Sequence, residues 1–271
     1  MSWISLNLNQ RTHGHGFHLV ESSPWPILSA VYVFGIAAGL VEWLSGSSSL
    51  YLGCGVLGLM VCLVFWWRDV IREATFQGHH TSLVQRGIKA GFVLFLISEV
   101  AFFLSLFWAF FHASLVPTAY LGNQWPPTGI QPINPWSVPL LNTAILVGSG
   151  VTVTLSHHSI QAGHLSKATM SLLVTVLMGL YFTWLQWDEY CHASFSMADS
   201  VFGSTFYLAT GFHGLHVIVG TVFLIVCLCR MYFLQFSNTR HLGYKLAIWY
   251  WHFVDAVWIL LYGVIYIWGS W

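Results

Sequence analysis

The chain has 271 residues, of which 56% are apolar and only 7% are charged, and its formal net charge is zero. A soluble domain carries roughly 25% charged residues, and a water-soluble fold of this composition would expose large adhesive patches, so that class is excluded. A net charge of zero also argues against a nucleic-acid partner.

Seven apolar stretches predict seven transmembrane helices, because each reaches or nearly reaches the ~20 residues that cross a bilayer. We therefore predict an all-α, polytopic membrane protein with one membrane domain over residues 1–271, whose first 23 residues precede the first span. Pro24 and Pro26 open that span, where a missing N–H costs little. The predicted spans are about 24–44, 50–67, 88–115, 138–158, 167–187, 203–232 and 244–268.

The basic residues predict the orientation of the chain. They lie before span 1 and in or beside the loops between spans 2 and 3, 4 and 5, and 6 and 7, whereas the odd-to-even loops hold none. Positive charge stays on the side from which a chain is inserted, so the N-terminus is predicted on that side and the C-terminus on the other. The nine residues are Arg11, Arg68, Arg72, Arg86, Lys89, Lys167, Arg230, Arg240 and Lys245.

The stretch Trp66–His80 is the densest polar segment and is predicted to be an inner loop. Arginine beside tryptophan at headgroup level suits a phospholipid phosphate. Interfacial anchoring, with side-chain pairs Arg68–Asp69 and Arg72–Glu73, explains the same residues equally well. Both readings remain open on spacing alone.

Two carboxylates, Glu99 and Asp255, fall inside predicted spans. Burying an ionisable group at this depth costs several kcal/mol, so such a group faces a partner inside the bundle or is protonated. Only apolar residues lie one turn from Glu99, so we expect a largely protonated acid that donates to another helix or a lipid. His252 lies at i−3 from Asp255 and predicts a local pair. An ordinary interhelical hydrogen bond remains the alternative to a functional role for both.

Fourteen histidines raise the alternative of a haem or copper site. His213 and His216 share one face of span 6, and His112 and His252 also lie within spans. Haem with two axial histidines needs facing helices, and copper needs a thiolate or a close histidine pair. Intramembrane histidine more often joins a polar network. A transporter using the two buried carboxylates is a further alternative, but we find no inverted repeats or broken helices to favour it.

Several long motifs resemble subunit III of the haem–copper cytochrome c oxidases, in the mitochondrial form. They follow the family order from residue 23 to the C-terminus and cover nearly the whole chain. The motifs are Ser23-Pro24-Trp25-Pro26, Trp66 through His80, Ile97-Ser98-Glu99-Val100, Phe107-Trp108-Ala109-Phe110, Trp125-Pro126-Pro127-Thr128-Gly129-Ile130, Pro139-Leu140-Leu141-Asn142-Thr143, Gly203-Ser204-Thr205-Phe206, Ala209 through His216, and Trp249 through Asp255.

The resemblance implies two groups of helices, 1–2 and 3–7, around a V-shaped cleft that holds phospholipids. It implies a non-catalytic subunit with no metal or redox cofactor of its own, packed against the catalytic subunit I. The complex passes electrons from cytochrome c to oxygen and pumps protons, with haem and copper in the partner subunits. It also implies a mitochondrial inner-membrane protein whose basic side faces the matrix. The acidic outer residues Asp188, Glu189 and Asp199 would face the intermembrane space.

The resemblance assigns roles to individual residues as well. Glu99 matches the family carboxylate that carbodiimides modify. The implied roles are to stabilise subunit I, to bind phospholipids and to support proton uptake or oxygen access, and a respiratory supercomplex is a further partner to consider. The implied phospholipid contacts are Trp67, Arg72, Glu73, His80, Trp108, His112 and Arg230.

Overall fold

The computed structural model describes residues 16–270, so the predictions that involve Arg11 and the C-terminal Trp271 lie outside the described residues. Seven helices in that range are long and apolar enough to cross a membrane, which confirms the all-α membrane fold. They are α1 (Trp25–Leu44), α2 (Leu50–Thr75), α3 (Ser82–Ser114), α4 (Val138–Gln161), α5 (Leu165–His192), α6 (Ser200–Tyr232) and α7 (Leu242–Leu261). A π-helical turn (Tyr262–Ile267) and a 3-10 turn (Trp268–Ser270) extend α7.

The helices are longer at their polar ends than the sequence predicts. The second ends at Thr75 rather than near 67, the third begins at Ser82 rather than near 88, and the fifth ends at His192 rather than near 187. Most of Trp66–His80 is therefore helix, and its prediction as a loop was wrong. A helix leaving the hydrocarbon keeps its backbone hydrogen bonds while its charged side chains reach water or headgroups. Polarity thus marks the end of the hydrocarbon and not the end of the helix.

The chain divides into two compact units, Met1–Ile88 and Lys89–Trp271. In the first unit, α1 and α2 approach each other through glycine. A Cβ added at Gly39 would lie 2.5 Å from the backbone nitrogen of Leu52. The same addition at Gly58 would meet the ring of Tyr32, whereas Gly35 has open space around it. Gly35 and Gly39 form a GxxxG motif in α1. Of these two glycines, only Gly39 lies where an added side chain would clash with α2.

The segment before α1 folds back on the connection between α2 and α3. The Thr81 hydroxyl donates to the Gly16 carbonyl, and the His18 ring stacks on His79 with 4.8 Å between centroids. The Trp25 indole N–H donates to the Asp69 carboxylate at 2.8 Å. These contacts attach the entry of α1 to the polar end of α2.

In the second unit, α7 is joined to α4 by three hydrogen bonds, two buried and one partly buried, which we call the aromatic ladder. An aromatic side chain of α7 donates each bond, and a small hydroxyl of α4 accepts it. The donors recur every seven residues, which keeps them on one helix face. The pairs are Tyr244 with Ser156 at 2.6 Å, Trp251 with Ser149 at 2.8 Å, and Trp258 with Thr143 at 2.9 Å.

Another helix of this unit, α3, turns aromatic side chains inward. Phe103, Phe107 and Phe110 are buried. The connection from α3 to α4 contains a short 3-10 helix (Ala119–Leu121), and its Trp125 packs edge-on against Phe110 at 5.3 Å between centroids. The connection from α3 to α4 is thus held against the core of the second unit.

Candidate functional site

Glu99 is paired with His216, a residue 117 positions away on α6. The distance between Glu99 Oε2 and His216 Nε2 is 2.9 Å, and both side chains are largely buried. Phe102 and Phe103 of α3 surround the imidazole ring. The predicted partner on another helix is therefore confirmed, and it is the imidazole of His216.

The second nitrogen of His216 limits where the proton of this pair can lie. His216 Nδ1 lies 2.6 Å from the Phe212 carbonyl, which can only accept a hydrogen bond, so Nδ1 carries a hydrogen. Nε2 then either accepts from a protonated Glu99 or donates, as part of an imidazolium, to a carboxylate. One proton is shared in both cases, and the pair is neutral overall. A neutral pair is far less costly in hydrocarbon than a lone charge.

Asp255 and His252 form a second acid–imidazole pair, on α7. Asp255 Oδ2 lies 3.6 Å from His252 Nδ1, which confirms the predicted local partner. His252 Nε2 lies 3.2 Å from the Thr154 hydroxyl, which itself donates to the Gly150 carbonyl at 2.8 Å. The Thr154 oxygen therefore accepts, and Nε2 carries the hydrogen. Nδ1 then faces Asp255 Oδ2 at 3.6 Å, which is longer than a direct hydrogen bond.

Glycine makes room for this second pair. A Cβ added at Gly150 would lie 2.6 Å from Asp255 Oδ2. The exposed His252 ring lies on the outer side of the pair, and the Asp255 carboxylate lies on the buried side. The close packing of α4 therefore fixes where the carboxylate can lie.

His213 is fully buried and joins neither pair. Its Nε2 lies 3.2 Å from the Val254 carbonyl and donates to it, and its ring packs on Trp258 at 5.1 Å between centroids. Nδ1 of His213 has no hydrogen-bond partner among the described residues. His213 and His216 are thus close in sequence but serve different neighbours.

Four of the predicted lipid-contacting residues lie in the first unit. Trp67 and Arg72 are exposed on the last turns of α2, and Arg72 lies 4.0 Å from Asp69. Glu73 lies 4.0 Å from His18, so the predicted Arg72–Glu73 pair was wrong. The Arg68–Asp69 pair is confirmed at 3.0 Å. One carboxylate thus serves both arginines.

The fourth of these residues, His80, lies in the connection between α2 and α3. Its ring lies 6.0 Å from that of His18 between centroids. Burial lowers the pKa of His80, and the neighbouring His18 lowers it further. His80 is therefore neutral at pH 7, and the positive charge at this end of α2 comes from arginine.

The other three predicted lipid contacts lie in the second unit. Trp108 and His112 are exposed one turn apart on the same face of α3. Arg230, at the end of α6, donates to Gln235 Oε1 at 3.2 Å and lies over the Phe236 ring at 4.3 Å. The guanidinium of Arg230 is thus held by its own unit, whereas the other two side chains point outward.

The three acidic outer residues do not form one exposed loop. Asp188 is half-exposed beside His192, and Asp199 is exposed. Asp199 accepts from the Ser196 backbone N–H at 2.6 Å, and this hydrogen bond lowers its pKa. Glu189 instead points inward from α5 and is only 6% exposed, so its prediction as an outer-loop residue was wrong.

Sequence reasoning missed the surroundings of Glu189. Glu189 Oε1 accepts from the Tyr266 hydroxyl at 2.7 Å and from Gln186 Nε2 at 3.1 Å. A signal was present, because Glu189 lies three and seven residues after Gln186 and Phe182 and so falls on the buried face of α5. No cluster of three or more histidine, cysteine or acidic residues with metal-binding geometry occurs between residues 16 and 270.

The comparisons with known proteins agree with this architecture. The family model described as cytochrome c oxidase subunit III matches residues 15–270. The cytochrome c oxidase subunit 3 of Coturnix japonica is 55% identical over 94% of this chain and 98% of its own length. The protein of that name from Lumbricus terrestris is 56% identical over 94% and 98%, and that from Pisaster ochraceus is 55% identical over 96% and 100%. The chain therefore belongs to the cytochrome c oxidase subunit III family.

Proposed function

We propose that this subunit of cytochrome c oxidase stabilises the catalytic subunit I and holds phospholipids in the mitochondrial inner membrane, while the haem and copper reside in partner subunits. Membership of the family makes the chain part of the respiratory oxidase complex. The observation that carries the lipid role is the exposed end of α2, where the side chain of Arg72 is 60% exposed and the indole of Trp67, five residues earlier, is also exposed.

The charges at this end of α2 favour a phosphate as the ligand. Arg68 lies 3.0 Å from Asp69 and over the Phe65 ring at 4.9 Å, so its guanidinium is engaged within the unit. Arg72 is 4.0 Å from the same carboxylate and retains its exposed donors. A guanidinium binds a phosphate through paired hydrogen bonds, and tryptophan prefers the headgroup region. Arg72 is therefore the main charge partner that we assign to a headgroup.

The lipid role is tested by removing each arginine in turn. We expect Arg72→Ala to lower the phospholipid that co-purifies with the oxidase and to loosen the subunit. Arg68→Ala is the matched control, because it removes an equal charge one turn earlier on the same helix. Quantitative lipid analysis of the two purified complexes gives the answer. Equal amounts of co-purified phospholipid in the two variants would show that Arg72 is only an interfacial anchor.

The same proposal places the N-terminus in the matrix. The described basic residues lie at the ends of α2, α3, α5, α6 and α7 or in the adjoining connections, on the side predicted to face the matrix. A cysteine introduced at Ser270 should react with an impermeant thiol reagent in intact mitoplasts, and one introduced at Ser82 should not. The reverse pattern would overturn the orientation.

Of the two finer roles, the neutral Glu99–His216 pair favours proton uptake over oxygen access. The pair shares one proton across 2.9 Å and so has the chemistry of a proton-exchanging site. Glu99→Gln removes the acid but keeps the volume, and Ser98→Ala is the neighbouring control. We expect slower proton uptake in Glu99→Gln with unchanged oxygen affinity. A change in oxygen affinity alone would favour the other role.

A further inference from the structure

Three carboxyl groups are enclosed within the helices of the second unit, and one of them lacks a base. Glu99 lies 2.9 Å from His216 and Asp255 lies 3.6 Å from His252, so each has an imidazole beside it. Glu189 has only hydroxyl and amide neighbours. A negative charge on Glu189 would therefore have no imidazole beside it to offset it.

The hydrogen bonds to Glu189 are distributed unequally between its two oxygens. Oε1 accepts from Tyr266 and from Gln186, whereas Oε2 is buried and has no partner among the described residues. An ionised carboxylate spreads its charge over both oxygens, and a buried oxygen without a donor is costly. A protonated acid has one carbonyl oxygen that accepts and one hydroxyl oxygen that donates. The observed pattern matches the protonated acid, with the hydrogen on Oε2.

An acceptor for that hydrogen is present in the same cluster. Asn142 of α4 is fully buried, and its Nδ2 lies 3.5 Å from Gln186 Oε1. Its Oδ1 is buried without a donor. Both unpartnered atoms of the cluster are thus oxygens that a single added hydrogen can join, directly or through one water molecule. Without that hydrogen, two buried acceptors remain unsatisfied.

The titratable groups around Glu189 supply no positive charge. Tyr190 extends from α5, Tyr207 from α6 and Tyr266 from the π-helical turn, and each is neutral at pH 7. The neighbouring His192 is exposed and lies 3.4 Å from Asp188. The lysines and arginines of the second unit lie in or beside the connections at the other ends of its helices; they are Lys89, Lys167, Arg230, Arg240 and Lys245. An anion at Glu189 would therefore be buried without a counter-ion.

We propose that Glu189, with Asn142, Gln186 and Tyr266, forms a buried proton-binding site that is occupied at neutral pH. The site joins α4, α5 and the π-helical turn after α7 through one acid hydrogen. It is separate from the Glu99–His216 pair, since none of its four side chains contacts that pair.

Infrared difference spectroscopy of the assembled oxidase tests the site. Glu189→Gln preserves the shape, and its amide can donate to Asn142 in place of the acid hydrogen. We expect the wild-type-minus-variant spectrum at neutral pH to show one lost protonated-acid carbonyl band and no lost carboxylate band. Asp188→Asn is the matched control, because it removes the adjacent exposed acid and should remove a carboxylate band only. A lost carboxylate band in Glu189→Gln, with the acid region unchanged, would overturn the proposal.

A second variant keeps the test decisive if Glu189→Gln does not assemble. Tyr266→Phe removes one hydrogen bond to Oε1 and leaves the carboxyl group in place. We expect it to shift a protonated-acid carbonyl band to higher frequency, because that carbonyl then accepts one bond fewer. An unshifted acid region together with a shifted carboxylate band would show that the site holds an anion, stabilised by a bound cation or by water.

Discussion

In the first unit α1 and α2 approach through glycine, whereas in the second unit α4 and α7 are joined by the aromatic ladder. Gly39 and Gly58 let side chains and backbone of the neighbouring helix come close. Only 6% of the residues in the most apolar stretch of α1 are buried, against 50% of those in the corresponding stretch of Leu242–Ser270, which comprises α7 and its extension. The first unit therefore presents most of its apolar surface to its surroundings, and the second unit encloses its own.

The difference teaches how membrane helices associate when lipid removes the hydrophobic driving force. Close backbone contact maximises van der Waals attraction, and interhelical hydrogen bonds fix side chains that would otherwise be unsatisfied. The glycine contact depends on the absence of a side chain, so adding a side chain should break it. The aromatic ladder depends on paired donors and acceptors, so removing one partner of a pair should break that bond.

The largest effect should come from adding a side chain at Gly39. Gly39→Leu places its Cβ against the backbone of Leu52, which cannot move aside as a side chain can. Overpacking costs about 1–3 kcal/mol, and contact with backbone places this variant near the upper end. The unfolding free energy in bilayer-like micelles measures it. Gly35→Leu is the control in the same helix and should change little, and equal losses would show that glycine contact does not hold the pair.

Removing the acid at Glu99 should have the next largest effect. Glu99→Ala leaves the imidazole of His216 without its partner and opens a void, at a cost of about 2 kcal/mol in unfolding free energy. Glu99→Gln should retain assembly, because its amide donates to His216 Nε2. The thermal stability of both complexes tests this. Loss of assembly in Glu99→Gln would mean that the pair requires an ionised carboxylate.

One rung of the aromatic ladder should contribute less. Trp251→Phe and Ser149→Ala each remove one partner of a bond of 2.8 Å. Their double-mutant cycle should give a coupling of about 1 kcal/mol, in the range found for hydrogen bonds between membrane helices. Combining Trp251→Phe with Ser98→Ala is the control, because Ser98 donates to a carbonyl of its own helix. A coupling as large in the control would remove the evidence for the ladder.

The smallest effect should follow from neutralising Asp69 in the first unit. Asp69→Asn keeps an oxygen for the Trp25 indole and loses only the exposed ion pairs with Arg68 and Arg72. Such exposed pairs contribute about 0–1 kcal/mol. Unfolding free energies at low and high salt provide the measurement. A loss comparable to that of Gly39→Leu would show that polar contacts hold both units alike.

Much of the fold can be predicted from the sequence, because the hydrocarbon thickness fixes the length of each apolar stretch. The Asp255–His252 pair is also predictable, since both residues lie on one helical turn. The Glu99–His216 pair is not, although each residue stands out alone, because its formation depends on how α3 meets α6. Glu189 was misplaced for a different reason, since it was grouped with Asp188 and Asp199 as an acidic residue beyond the predicted end of span 5. Its helical phase with Phe182 and Gln186 was the more informative signal.

The period of the aromatic ladder also fixes the axial register of α7 against α4. A slip of one helical turn moves one helix by about 5.4 Å, which would separate all three donors from their hydroxyl acceptors at once. The three observed pairs therefore hold the two helices in a single register. The depth of Lys245 at the basic end, and of the π-helical turn at the other, follows from that of α4.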